Sequence, residues 1–281
     1  MSLELCILAS GSSGNCTILR TPNGVVLIDA GIGPRTTAKR MDGTGVTLAD
    51  VRAICLTHLD RDHFSPTWFD TICRRGIKLF CHANRLDTLR ALTRDCDRPV
   101  RIDTFNGKAF EPVGRIRFRP IALEHDDEGS HGFAIEGFGA RIGYATDLGK
   151  VPNTLLEHFC GVDVLALESN YDPEMQLRSN RPWFLKNRIM GGRGHLSNEQ
   201  AFTAIRMLLD RCQSRARRMP QHIVLLHMSD ECNCPHLVRE FFARDERITS
   251  RLTLANQFAR TEWLAVKDRT PLVGEQLSLA F

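Results

Sequence analysis

The sequence has no apolar run of about 18 residues, which excludes a membrane-spanning helix. Its first ten residues hold no basic segment and no cleavage site, so 3–9 reads as a first core strand and not as a signal peptide. A disulfide framework is absent. The ten cysteines lie scattered, most of them in apolar strands or helices where a free thiol acts as a small hydrophobe. That usage reads as a reducing, cytoplasmic compartment. Cys232 and Cys234 have no second cysteine pair at zinc-ribbon spacing. The Gly/Ser turn from Ser10 to Asn15 lacks the Gly-Lys-Ser/Thr of a phosphate-binding P-loop. No repeat of fixed period occurs. The net charge is only +4, which permits a polyanionic substrate without demanding one.

What is present suits one large domain with a full core: 281 residues, 42% of them hydrophobic. We place that domain at 1–267 and a tail at 268–281. Cations cluster locally. Arg178, Arg181, Lys186, Arg188 and Arg193 fall within sixteen residues, Arg211, Arg215, Arg217 and Arg218 end a helix, and Arg115, Arg117 and Arg119 share one strand face. Each cluster taken alone is an ordinary solvated face.

Strand signals cover 3–8, 16–20, 25–29, 51–57, 78–81, 101–105, 109–112, 115–123, 131–136, 140–146, 162–167, 222–226, 252–255 and 261–266. Thr21-Pro22-Asn23-Gly24 reads as a hairpin turn. Helices are expected over 34–41, 66–75, 85–93, the 150s and 235–243. The stretch 171–195 is loop-rich, with a helical segment at 183–189. The clearest helix follows Ser197, where Gln200 completes a capping box and Ala201, Phe202, Ala204, Ile205, Leu208 and Leu209 make one apolar face. Strand-rich blocks interrupted by helices predict two sheets with helices outside, an αββα sandwich.

The richest stretch is Thr57-His58-Leu59-Asp60-Arg61-Asp62-His63, with His58, Asp60, Asp62 and His63 as four candidate ligands in six residues. An apolar strand precedes it. Ser65-Pro66 follows, an N-cap with proline at the first helical position. Ligands at a strand-to-helix turn sit on rigid supports. A catalytic metal needs His, Asp or Glu donors at about 2.0–2.2 Å and a free place for water. His125, Asp147 and His227 each come at or just after the end of an apolar run. One such residue is merely a strand end; four such places in this order point to a metal centre. His131 is a lesser rival of His125, and His82, His158, His222 and His236 read as surface residues. Asp29, at a strand end, is expected to steady a ligand histidine. His195 stands just before the capped helix, where a phosphate would meet helix N–H groups.

These motifs resemble the YycJ/WalJ-type metallo-hydrolases of the metallo-β-lactamase fold. The resemblance is carried by Ser10 to Asn15, Leu27-Ile28-Asp29-Ala30-Gly31, the cluster at 57–63, Thr146-Asp147-Leu148-Gly149, Leu167 to Asp172, Gly194 to Asn198 and His227-Met228-Ser229. It implies an α/β fold, the αββα four-layer sandwich of two mixed β-sheets with outer helices. It also implies two divalent metal ions, zinc or manganese, with magnesium or iron as further options. His58, Asp60 and His125 would bind one ion, Asp62, His63 and His227 the other, and Asp147 would bridge. The related tRNA 3′-processing nucleases, which this chain resembles locally, imply Glu168 orienting His195 for acid–base help or phosphate binding.

One position departs from the family's His-x-His-x-Asp-His signature: Asp60 stands where the second His usually stands. Three carboxylates, two divalent ions and a bridging hydroxide sum to about zero charge, and a carboxylate favours the harder ions Mn²⁺ and Mg²⁺. The activity implied is phosphodiester hydrolysis, with a metal-bridged hydroxide attacking phosphorus, most readily as a 5′→3′ DNA exonuclease in repair or replication. Two other readings remain: a phosphodiesterase for cyclic nucleotides or dinucleotides, which the same site would serve, and a nucleic-acid-binding scaffold with an impaired metal site, which only Asp60 supports. The C-terminal Gln276, Leu277, Leu279 and Phe281 have a spacing that resembles the short peptide by which bacterial replication and repair proteins bind the sliding clamp.

Overall fold

A computed structural model describes residues 3–94, 96 and 98–266. The tail at 268–281, with Gln276, Leu277, Leu279 and Phe281, lies outside the described residues. The strands in chain order are β1 (Glu4–Ala9), β2 (Cys16–Thr21), β3 (Gly24–Ile28), β4 (Val51–Cys55), β5 (Lys78–His82), β6 (Arg101–Phe105), β7 (Ile116–Leu123), β8 (Ser130–Gly137), β9 (Ala140–Ala145), β10 (Val164–Glu168), β11 (His222–Leu226), β12 (Leu252–Leu254) and β13 (Leu264–Ala265). They form two mixed sheets, ordered β13-β1-β2-β3-β4-β5-β6 and β12-β11-β10-β9-β8-β7. Strands β13 to β3 pair antiparallel and β3 to β6 parallel. In the second sheet β12 to β9 are parallel and β9 to β7 antiparallel.

The two sheets pack face to face. Leu5 and Ile7 of β1 join Phe118, Phe133, Ile142 and Val224 of the other sheet in the interior. The alternate residues Cys6 and Leu8 face outward, onto helices α1 (Pro34–Met41), α2 (Phe69–Arg75) and α3 (Leu86–Leu92). The second sheet is covered in the same way by α4 (Asn153–Phe159), whose Leu155 and Phe159 are buried, and by three later helices. Burial on both faces is why these strands read as continuous apolar runs and not as alternation. The result is the four-layer αββα sandwich that the sequence predicted.

Two short helices, α5 (Pro173–Arg178) and α6 (Trp183–Met190), fill the loop-rich stretch. Asp172 caps α5, accepting from the Met175 N–H at 2.9 Å, and Pro173 opens it. Helix α7 (Asn198–Ser214) has the expected capping box and buries all six predicted apolar residues. Such a cap contributes about 1 kcal/mol. Helices α8 (Pro235–Phe242) and α9 (Glu246–Thr249) complete the outer layer. The turn at 21–24 is a two-residue hairpin, Thr21 pairing with Gly24. The strand expected at 109–112 is not formed; only Phe110 bridges Phe118, because Pro112 has no N–H to extend a ladder. All ten cysteines are free and seven are buried. Among the described residues no helix is long and apolar enough to cross a membrane.

Candidate metal centre

Six strands release their chemistry-bearing residues at one edge of the sandwich. Strands β3, β4, β7, β9 and β11 end just before Asp29, the 57–63 loop, His125, Asp147 and His227, and β10 ends on Glu168. The backbone turns sharply there. Asp29, Asp147 and His227 adopt left-handed conformations, with φ of 60°, 56° and 54°. Such strain in non-glycine residues gathers where a function demands it.

The histidines share a common arrangement, in which one ring nitrogen is held by the protein and the other faces the cluster. The Asp29 carboxylate accepts from the Thr57 N–H at 2.8 Å, the Thr57 hydroxyl, and His63 Nδ1 at 2.8 Å. With its hydroxyl proton on Asp29, Thr57 accepts from His58 Nδ1 at 2.9 Å. That network assigns the proton of His58 to Nδ1 and leaves the Nε2 lone pair bare. His58 Nε2 is buried and has no hydrogen-bond partner. Burial and the neighbouring His63 push the His58 pKa well below the usual imidazole range, so it is neutral. A buried, neutral, unpartnered imidazole nitrogen suits a metal ion. His125 Nδ1 donates to the Gly194 carbonyl at 2.9 Å, which turns Nε2 to within 3.9 Å of Asp147.

His63 Nε2 lies 3.0 Å from Asp147 and 3.4 Å from Asp62, and His227 Nε2 lies 3.3 Å from Asp62. Burial lowers His227, yet Asp147, Asp62 and Glu168 push it up to about 10. His63 is likewise lowered by burial but raised well above the ordinary value by Asp147 and Asp29. Burial raises Asp147, and the charges of His227 and His63 pull it well below the carboxylate range. Positive charge is therefore what this group of carboxylates calls for.

The potential ligand atoms of His58, Asp60 and His125 lie within 4.8 Å of one another, as do those of Asp62, His63 and His227. Asp147 joins His58 and His63 in a third such group. All seven sequence-predicted ligands thus meet. Asp60 turns inward with them, its Oδ2 3.7 Å from His58 Nε2, although its side chain is half exposed. His131 does not meet them: it stacks on His82 with centroids 4.4 Å apart, and burial lowers it to about 4. His82, His158 and His222 are half-buried rather than surface residues, and His222 bonds the Ala265 carbonyl. Cys232 packs under Tyr171 and Ile189, and neither it nor Cys234 joins a ligand group among the described residues.

Glu168 is wholly buried and does more than contact His195. Its Oε1 meets His195 Nδ1 at 2.7 Å and His227 Nδ1 at 3.2 Å, and its Oε2 accepts from the Leu148 and Leu196 N–H groups. Burial raises Glu168, and His195 beside it brings it below the ordinary range. Several supports were missed in the sequence: Thr57, Asn15 (Nδ2 3.0 Å from His63 Nε2), Asn170 (Nδ2 3.1 Å from His227 Nδ1) and Ser10, whose hydroxyl accepts from the His227 N–H. The signal was available, because all four lie within motif stretches already singled out. Two glycines explain why the loops close. A Cβ on Gly31 would lie 1.7 Å from the Asp62 carbonyl oxygen, and one on Gly149 2.2 Å from Gly192. The cleft above the cluster has a volume of about 450 Å³, and Ser12, Arg181, Leu185, Arg188 and Ile189 wall it.

The beta-lactamase superfamily domain matches residues 25–228. The chain is 25% identical over 240 residues to the exodeoxyribonuclease YycJ of Bacillus anthracis, covering 85% of this chain and 87% of that one. It is 26% identical over 269 residues to the exodeoxyribonuclease WalJ of Streptococcus pneumoniae, covering 93% and 90%. Among solved structures, a diphosphatase from the PhnP family superposes with a TM-score of 0.66 at 15% identity, covering 95% of this chain and 98% of that one. The chain belongs to the beta-lactamase superfamily and is a hydrolase of the metallo-β-lactamase fold.

Proposed function

We propose that this hydrolase is a metal-dependent phosphodiesterase that degrades DNA from the 5′ end, and that it works in the cytoplasm. The observation that carries the reading is the pair of ligand triads, His58–Asp60–His125 and Asp62–His63–His227, set around Asp147. Imidazole and carboxylate donors suit zinc or manganese, and the bare His58 Nε2 fits such an ion. Two divalent ions held there would lower the pKa of water and neutralise charge on a phosphodiester. The two relatives named as exodeoxyribonucleases, each aligned over most of its length, favour DNA as the substrate.

The remaining steps fall to the chain's own side chains. His195 borders the cleft and is held at Nδ1 by buried Glu168. Its Nε2 is then the nitrogen that meets the scissile phosphate or protonates the leaving oxygen. Glu168 fixes the ring through this bond, so it is a positioning residue. Asp29 and Thr57 hold His58 and His63 in register. Arg181 and Arg188 on the cleft wall supply cationic contacts to flanking phosphates. The terminal Gln276, Leu277, Leu279 and Phe281 are proposed, from sequence alone, to bind the sliding clamp. Full-length protein with Leu279→Ala and Phe281→Ala should lose clamp binding and keep nuclease activity.

The test is to incubate the protein with Mn²⁺ or Zn²⁺ and 5′- or 3′-labelled single- and double-stranded DNA and RNA, beside bis-p-nitrophenyl phosphate. Release of labelled nucleotides from the 5′ end of DNA is expected. Hydrolysis of the small ester with intact DNA would assign the site to small phosphodiesters. Absence of any hydrolysis, with no metal retained, would make the chain a scaffold.

A further inference from the structure

Among the described residues only three aromatic side chains are exposed: Trp183 at 66%, Phe184 at 74% and Phe258 at 70%. None is scattered at random. Trp183 and Phe184 open helix α6, whose Leu185, Arg188 and Ile189 wall the metal cleft. Phe184 and Arg188 are four residues apart, on one helical face. Phe258 stands on a separate segment. Its neighbour Gln257 accepts from the Ser13 N–H at 2.8 Å and donates to the Gly14 carbonyl at 2.9 Å. Gln257 thereby grips the turn that carries Ser12, another residue of the cleft wall. Exposed aromatics thus stand on two segments joined to the cleft wall, one directly and one through the Ser12 turn.

The stretch that carries Trp183 and Phe184 holds an excess of cations. Between Tyr171 and His195 the chain carries Arg178, Arg181, Lys186, Arg188 and Arg193 against Asp172 and Glu174. Several of these cations rest on carboxylates: Arg188 on Asp126, and Arg181 on Glu231 at 2.9 Å. Asp126 takes Nε and Nη2 of Arg188 and leaves its Nη1 for a phosphate, whereas Arg181 is also bonded to Gln176 and Ser229 and fixes charge at the cleft wall. Flat apolar rings beside fixed cations make a surface that fits unstacked bases on a polyphosphate backbone. It fits neither a small phosphodiester, which offers few bases or none to stack, nor a rigid duplex, whose bases are stacked and covered.

Resting on the reading of this site as a DNA phosphodiesterase, we propose that Trp183 and Phe184 at the start of α6, with Phe258 beyond the Ser12 turn, stack the bases of single-stranded DNA flanking the scissile phosphate. Base–aromatic stacking is worth about 1–3 kcal/mol per base and tolerates any sequence. Removing the bases while keeping the backbone should therefore weaken binding about tenfold or more.

Binding of the metal-loaded, full-length protein to a cleavage-resistant phosphorothioate thymidine 12-mer is compared with binding to an abasic 12-mer of the same backbone. Fluorescence anisotropy reads both. The base-bearing strand should bind about tenfold more tightly, and Trp183→Ala with Phe184→Ala should abolish that preference while leaving the abasic strand's affinity unchanged. Phe258→Ala should reduce the preference. Both changes are at exposed positions and leave the core intact. A preference of less than about threefold, or one that survives in the double variant, overturns the proposal. A dimer that hides Trp183 in place of DNA also overturns it, by assigning the patch to a second copy. Failure here is separate from failure of the functional reading, because DNA cleavage by the wild-type enzyme tests that reading alone.

Discussion

Replacing Gly31 by alanine should dismantle half of the metal centre from outside it. The new Cβ would lie 1.7 Å from the Asp62 carbonyl oxygen, 2.3 Å from its carbon and 2.8 Å from the Asn15 nitrogen. These are backbone atoms and cannot swing away as a side-chain tip does. Asp62 must retreat by more than about 1 Å, a displacement that costs on the order of 10²-fold when catalytic groups depend on it. The retreat also loosens the Asn15 N–H bond to the Asp62 carbonyl, 2.6 Å long, and the Gly31 N–H bond to Asn15, 2.8 Å long. Overpacking of this kind costs about 1–3 kcal/mol, so the fold survives with a melting temperature lower by several degrees. The triad of His58, Asp60 and His125 is not touched. Metal analysis after reconstitution should therefore find one ion fewer per chain, with turnover down at least about 10²-fold and an unchanged circular dichroism spectrum. Wild-type metal content and turnover in Gly31→Ala would refute the claim that this close approach sets the Asp62 ligand.

Asp29→Asn keeps a side chain that tolerates the left-handed backbone but removes the charge that organises Thr57 and His63; metal affinity should fall about 10–100-fold in a chelator competition. His195→Ala should retain its metals and lower turnover by roughly 10²–10⁴-fold, and an undiminished rate would remove His195 from the mechanism. Asp60→His should shift the best activity from Mn²⁺ toward Zn²⁺ and tighten the first ion; identical metal preference in both proteins would mean that Asp60 is not a ligand.

The fold was legible where burial imposes a period. Helix α7 announced itself because its cap and its six apolar positions satisfy one geometry, and the central strands because burial on both faces leaves only apolar residues. The ligands were legible for a related reason: His125, Asp147 and His227 break apolar runs at strand ends, where polar residues are otherwise unremarkable. Their supports were harder to read. Thr57 acts through a hydroxyl that links Asp29 to His58, and no spacing rule marks a threonine as such a relay. Gly194 contributes only its carbonyl. Helix α5 was passed over because six residues are too few to establish a period, although Asp172-Pro173 is a start signal. The exposed Trp183 and Phe184 open a helix whose inward face is apolar as well, so sequence alone did not separate the two faces.

A two-metal centre is tested most directly by the number and place of the ions it binds. A crystal of the protein grown with Mn²⁺ or Zn²⁺, measured at the metal's absorption edge, would show them by anomalous scattering. Two peaks are predicted, one against His58, Asp60 and His125 and one against Asp62, His63 and His227, with Asp147 between them. A single peak, or none within reach of these seven side chains, would contradict it.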